Sequence, residues 1–158
     1  MERSSRQTAI VVDDDPMIRA ILRSTLSSIG LDVQLASHGY EAVSLAARKQ
    51  ATLVLLDLAM PGLDGIATCA RIRELPGYGE APIVVLSAKV DQRSATAAKA
   101  AGATMVLAKP FQPAALLQAL SPFCAISGTE RTAIARGATQ ARNISRPPPA
   151  SADQRTWR

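Results

Sequence analysis

Apolar positions fall into two alternating patterns over the first 120 residues. Short β-rich runs occur at residues 9–12, 32–35, 52–57, 83–86 and 105–108. Such runs read as strands. Helix-period segments lie between them and after the last. Pro16 suits a helix start, and Ile18, Ile21, Leu22, Thr25, Leu26 and Ile29 follow at i, i+3, i+4 spacing. Arg19 and Arg23 fall on the opposite face, and Gly30 supplies a stop. A second helix is expected over residues 40–49, burying Ala42, Val43 and Ala46. A third follows Gly65 and ends before Pro76, with Ile66, Cys69 and Ala70 inward. The fourth, residues 92–101, holds alanine and polar residues with no large apolar side chain, which makes it the weakest for packing. The fifth, residues 113–120, buries Leu116, Leu117 and Leu120. Five strands alternating with five helices predict an open parallel α/β sheet with right-handed crossovers.

Past about Ile126 the periodicity fails. Residues 127–158 are rich in Ser, Thr, Gly, Ala and Arg, with Pro147-Pro148-Pro149 near the end, and read as a disordered tail. The expected division is a folded domain at 8–125 and a basic tail at 126–158.

Composition narrows the class. The chain has 158 residues, 47% of them apolar, enough for one domain with a core and too few for two full domains. Aromatics make up only 3%, so the core must come from Val, Ile, Leu and Ala. No apolar run approaches the roughly 20 residues that span a bilayer. The polar start through Thr8, followed by an apolar run that stops at Asp13, does not fit a secretory signal. Cys69 and Cys124 lie in different segments without ligand-like spacing, so a reducing cytoplasm is expected. The net charge of +5 is uneven: residues 1–120 carry 12 basic and 11 acidic groups, and the remainder has six arginines against Glu130 and Asp153. The tail arginines read as a solvated end, with a salt-sensitive contact to nucleic acid or an acidic partner as the alternative. No helix-turn-helix pattern follows residue 125, which argues against sequence-specific DNA binding. Trp157 reads as unpacked.

The acidic residues carry the chemistry. Asp13-Asp14-Asp15 directly follows the first strand, and Asp57 ends the third. In a parallel sheet these strand ends share one edge. In the flavodoxin-like order 2-1-3-4-5, which rests partly on a resemblance to a known family, strands 1 and 3 are neighbours at the topological switch point, and Asp13, Asp14 and Asp57 would converge. Like charges that close raise each other's pKa. A hard divalent cation with oxygen ligands resolves the conflict, and Mg²⁺ is the usual one beside phosphate. Ser87 ends the fourth strand and Lys109 the fifth, which brings a hydroxyl and a cation to the same edge. That set suits a phosphoryl group, with a carboxylate nucleophile giving an acyl phosphate. Asp57, on the most apolar and central strand, is the best nucleophile. Asp15 reads instead as a helix N-cap, and Asp64 and Gly65 as the start of the third helix. His38 reads as an exposed loop residue, Cys69 as core and Met17 as a partly exposed contact.

Four motifs at these positions resemble the receiver domain of two-component response regulators. They are Val11-Val12-Asp13-Asp14-Asp15-Pro16, the segment from Asp57 through Pro61 to Gly65, Val84-Val85-Leu86-Ser87-Ala88, and Lys109-Pro110-Phe111. The resemblance covers about residues 8–123 and implies the flavodoxin-like doubly wound (βα)5 fold. It also implies a phosphoacceptor at Asp57 and a Mg²⁺ site in which Asp14 binds directly, Asp13 through water and Ala59 by its backbone carbonyl. Lys109 matches the phosphate-binding lysine, followed by a cis bond to Pro110, and Ser87 matches the hydroxyl residue that moves toward the phosphoryl group. The implied phosphodonor is a sensor histidine kinase or a histidine phosphotransfer protein, docking at the rim near Met17.

The family usually carries Tyr or Phe three residues before the lysine; here Val106 stands there, with no ring to swing. The segment from Gly102 to Met105 also lacks the acidic pair common in the family. Ala59 leaves room for an attacking water whereas Lys89 could cover the phosphoryl group, so these two positions pull its lifetime in opposite directions. The expectation is a stand-alone cytoplasmic receiver that acts by contact with a downstream protein or as a phosphoryl shuttle, and that is not a turnover enzyme. The alternatives are a receiver-fold binding module that never cycles and a Mg²⁺-dependent phosphatase. The latter needs a further acid–base group and a substrate pocket that the motifs do not supply.

Overall fold

The structure, a computed structural model, describes residues 6–124. Its elements follow in the order β1 (Thr8–Val12), α1 (Pro16–Ser27), β2 (Asp32–Ala36), α2 (Gly39–Arg48), β3 (Leu53–Asp57), α3 (Gly65–Arg73), β4 (Ile83–Ser87), α4 (Gln92–Ala100), β5 (Met105–Ala108) and α5 (Pro113–Leu120). The strands form one parallel sheet in the order β2-β1-β3-β4-β5. The alternating fold and the strand order are therefore as expected. The expectations for 126–158, Trp157 among them, lie outside the described residues.

Period-2 alternation divides the core into two layers. Ala9, Val11, Leu53, Leu55, Val84 and Leu86 face α1 and α5, where Leu22, Leu26, Leu116 and Leu120 meet them. Ile10, Val12, Val54, Leu56, Ile83 and Val85 face the other way, against Ala42, Ala46, Cys69, Ile72 and Ala98 from α2, α3 and α4. Strands covered on both sides lose nearly all contact with water, and β1, β3 and β4 are buried throughout. Each large aliphatic side chain buried this way stabilises the fold by about 1.5–3 kcal/mol before ordering costs. α4 contributes little of this, since Ala98 alone among its residues is buried.

Two helix faces differ from expectation. Ile21 is 39% exposed because the buried stripe of α1 narrows to Leu22, Thr25 and Leu26, leaving Ile21 on its flank. The buried threonine is satisfied by its own helix, its hydroxyl donating to the Ile21 carbonyl at 2.8 Å. In α3, Ile66 and Ala70 are only half-buried, whereas Thr68 and Ile72 are buried with Cys69. That helix packs against both the sheet and α2, so its covered arc is wider and shifted. Val43 is likewise half-buried.

The capping expected of Asp15 is present, with its carboxylate accepting from the Met17 amide at 2.8 Å, and Asp64 caps α3 in the same manner through the Ala67 amide. His38 is exposed as expected but also caps α2, its Nδ1 accepting from the Glu41 amide at 3.2 Å. Gly30 takes φ +86°, the left-handed conformation of a helix stop.

Candidate functional site

Sheet register builds the site. Val12 pairs with Leu56, so Asp13 and Asp57 are the next residues along neighbouring strands. Asp57 is opposite Leu86, and Ser87 is opposite Ala108, which puts Ser87 and Lys109 at the same carboxyl edge. The backbone continues the register beyond the strands, with the Lys109 amide donating to the Ser87 carbonyl at 2.7 Å and the Leu58 amide to Leu86 at 2.9 Å.

Asp13 and Asp57 are both buried, at 1% and 5% exposure, while Asp14 is exposed. Oxygen atoms of the three carboxylates lie within 4.8 Å of one another. The Lys109 ammonium sits between the two buried ones, 2.6 Å from Asp13 Oδ2 and 3.1 Å from Asp57 Oδ1. One ammonium against three carboxylates leaves the cluster negative. The Asp57 carboxyl is pushed above its ordinary value, first by burial and then by the charge of Asp13, with Lys109 pulling the other way. For Lys109 burial opposes the charged form, but the hydrogen bond to Asp13 and the two carboxylate charges outweigh it and raise its pKa.

The Ser87 hydroxyl donates to the Lys89 carbonyl at 2.8 Å and accepts from the Lys89 amide at 3.2 Å. It is thus engaged by the loop before α4 rather than by Asp57. Ala59 is exposed on the rim, with its amide 3.4 Å from Asp57 Oδ1. The bond from Lys109 to Pro110 is cis. Val106 is half-buried and packs on the α4 side of the sheet. Met17 is 68% exposed, freer than the partial exposure expected.

Two residues contribute more than their sequence positions suggest. A Cβ on Gly65 would lie 2.3 Å from the Asp57 carbonyl oxygen and 2.6 Å from Leu58 Cα, so only glycine lets α3 begin against the backbone of the central carboxylate. Arg19, read from the sequence as part of an outward face, donates from Nη1 to the Asp13 carbonyl at 2.7 Å. Its signal was its place in the first turn of α1, because helical side chains lean toward the N-terminus.

The response regulator receiver domain family matches residues 9–121 of the chain. This protein belongs to that family. The receiver is 35% identical over 124 residues to an uncharacterized 14.6 kDa protein of Leptolyngbya boryana, covering 78% of this chain and 95% of that one. It is 37% identical over 112 residues to the DNA-binding response regulator MtrA of Mycolicibacterium smegmatis, covering 71% of this chain but 48% of the relative. The chain likewise spans less than half of the transcriptional regulators ycf27 of Porphyridium aerugineum and ResD of Bacillus subtilis, at 44% and 46%. Among solved structures, chemotaxis protein CheY4 of Vibrio cholerae superposes with a TM-score of 0.74 at 30% identity, covering 76% of this chain and all of that one. The receiver domain of sensor histidine kinase PA1611 from Pseudomonas aeruginosa, solved with a magnesium ion coordinated in its active-site cleft, gives 0.69 at 31% identity and covers 75% of this chain and 98% of that one. Receivers of two-component systems bind Mg²⁺ at an acidic pocket and interact with histidine kinases or phosphotransfer proteins. No helix among the described residues is long and apolar enough to cross a membrane.

Proposed function

We propose that this receiver accepts a phosphoryl group on Asp57 from the phosphohistidine of a sensor histidine kinase or a histidine phosphotransfer protein. The observation that carries the reading is the Lys109 ammonium bridging Asp13 and Asp57 beside the exposed Asp14. The donor set, oxygen only and net negative, fits Mg²⁺, which Asp13, Asp14, Asp57 and the backbone carbonyl of Ala59 would hold. When bound, the ion supplies positive charge against the oxygens of the transferring group.

A carboxylate oxygen of Asp57 attacks phosphorus. The new O–P bond forms as the P–N bond to the donor imidazole breaks, and the imidazole leaves with the electron pair and takes a proton from solvent. Lys109, already 3.1 Å from Asp57 Oδ1, neutralises the charge that arrives on the phosphoryl oxygens. Ser87 exchanges its bond to the Lys89 carbonyl for one to a phosphoryl oxygen. The acyl phosphate stays on the chain until water or another acceptor removes it, which makes the protein a regulator rather than a turnover enzyme.

Its readout is contact with a downstream protein or transfer of the phosphoryl group onward, in the cytoplasm. Val106 favours transfer, because shuttling uses the active-site rim and needs no ring movement in β5.

The test is intact mass of the full chain after incubation with Mg²⁺ and acetyl phosphate or a phosphorylated histidine phosphotransfer protein. One added phosphoryl group, absent from Asp57→Asn, is expected. Label that persists in the variant overturns the assignment of Asp57. No label from either donor points to a binding module with the receiver fold. A phosphorylation-dependent difference in affinity for an isolated target would favour contact over pure shuttling.

A further inference from the structure

Asp14 differs from the other two carboxylates of the cluster. Asp13 and Asp57 are held by burial and by Lys109, whereas Asp14 is exposed. Its position must therefore come from its backbone, which means from the two peptide planes that flank its Cα. Both are pinned. On the far side, the Asp15 amide donates to Asp13 Oδ1 at 2.9 Å. On the near side, the Asp13 carbonyl accepts from Arg19 Nη1 at 2.7 Å. The first of these bonds is local to the turn. The second is made by a side chain from the first turn of α1 that leans back over the helix start.

We propose that Arg19 is a positioning residue for the divalent cation: by holding the Asp13 carbonyl it fixes the peptide plane that aims the exposed Asp14 carboxylate toward Asp13 and Asp57. The inference rests on the reading of these three carboxylates as the cation site. A guanidinium suits the task, since its donors are fixed in a plane and its charge is permanent, so the bond to a carbonyl is short and directional. The Arg19 charge also has an anionic neighbour on α2. Glu41 is held below its ordinary carboxyl value first by the Ser37 amide, then by the Ser37 hydroxyl, with Arg19 a smaller contributor. Glu41 itself bonds Ser37, one residue past the Ala36 carbonyl that accepts the Asp13 amide at 3.2 Å. The loop bearing Asp13 and Asp14 is thereby tied to its neighbour after β2 as well as to α1.

Positioning and charge predict opposite signs, which makes the idea testable. A guanidinium that acted only as a nearby positive charge would repel Mg²⁺, so removing it would tighten binding. A guanidinium that orients a ligand would weaken binding when removed, by roughly tenfold if it behaves like other outer partners of metal ligands. The experiment is calorimetric titration of the full-length protein with Mg²⁺, at a temperature where thermal melts show each variant folded. Arg19→Met is expected to bind about tenfold more weakly, and Arg19→Lys, which keeps the charge and a shorter donor, to fall between it and the wild type. Arg23→Met, which removes an exposed arginine one turn further along α1, is expected to bind as the wild type does. Unchanged or tighter binding by Arg19→Met overturns the proposal while leaving the cation site intact. Equal weakening in Arg23→Met also overturns it, because the loss would then not depend on the bond to the Asp13 carbonyl. Failure of the wild-type protein to bind Mg²⁺ overturns the cation reading and this inference together.

Discussion

At the carboxyl edge of the sheet, Asp13, Asp14 and Asp57 face, among the described residues, a single ammonium, that of Lys109. At the amino edge, side-chain donors meet backbone carbonyls. Arg73 donates from Nη1 to the carbonyls of Tyr78 and Ala81 at 2.6 and 2.7 Å, and from Nε and Nη2 to that of Gly102. The Tyr78 hydroxyl, wholly buried, donates to the Lys49 carbonyl at 2.6 Å and accepts from the Ala51 amide at 2.9 Å. The Gln50 amide donates to the Gly77 carbonyl at 2.8 Å. These contacts lock the helix-to-strand loops before β3, β4 and β5 to one another. One edge has surplus negative charge, destabilising by itself and useful to a cation. The other satisfies its donors internally and steadies the scaffold. Unmatched polarity marks the binding edge, and matched polarity marks the structural one.

Removing one cation from each edge puts this contrast to the test, and magnesium distinguishes the two. Lys109→Met leaves two buried carboxylates uncompensated. Thermal or denaturant unfolding in metal-free buffer should show a loss of about 3–5 kcal/mol, limited by proton uptake on one carboxylate. Addition of Mg²⁺ should restore much of it. Arg73→Met should cost about 2–4 kcal/mol through three carbonyls losing a charged donor. Mg²⁺ should restore none of the loss it causes at the remote edge; a recovery comparable to that of Lys109→Met would break the comparison. Tyr78→Phe, which leaves the Ala51 amide without its hydroxyl acceptor, should cost about 1–2 kcal/mol by urea unfolding, with Mg²⁺ affinity unchanged.

The smallest effect concerns the partly exposed pair of Lys49 and Asp32 at the amino end of β2, 2.7 Å apart. The hydrogen bond from Lys49 holds the Asp32 carboxyl below 3.8, its ordinary value, against desolvation, and the Lys49 charge adds to the lowering. A depressed folded pKa stabilises the protein above pH 3.8 and loses that contribution as pH falls from there through the folded value. Solvent screening keeps the contribution small. Asp32→Asn should therefore lower stability slightly at neutral pH, with the difference from wild type vanishing in the most acidic part of a pH series of urea melts.

The two edges were not equally legible in the sequence. Asp13, Asp14, Asp57, Ser87 and Lys109 each stand at the end of a short apolar run, and in a parallel sheet all such ends emerge on one side. The amino edge offered no comparable signal. Arg73 and Tyr78 belong to a polar helix end and a Gly- and Pro-containing loop, and nothing in their spacing foretells which carbonyls they meet. Cys69 was correctly placed as core, but Thr68 and Ile72 beside it were not, because the covered arc of α3 depends on α2 as well as the sheet.

Local chemistry in the chain was enough to determine the alternating fold, the caps at Asp15 and Asp64, and the residues that gather at the carboxyl edge. Those depend on period, on φ preferences and on short-range hydrogen bonds, all of which are written in consecutive residues. Tertiary structure alone decided that Lys109 bridges Asp13 and Asp57, that Ser87 is engaged by Lys89, and that Arg19 reaches the Asp13 carbonyl. Each is a choice of partner made by a flexible side chain or hydroxyl among several candidates. Only the packed positions of neighbouring strands and helices bring one candidate within hydrogen-bonding distance.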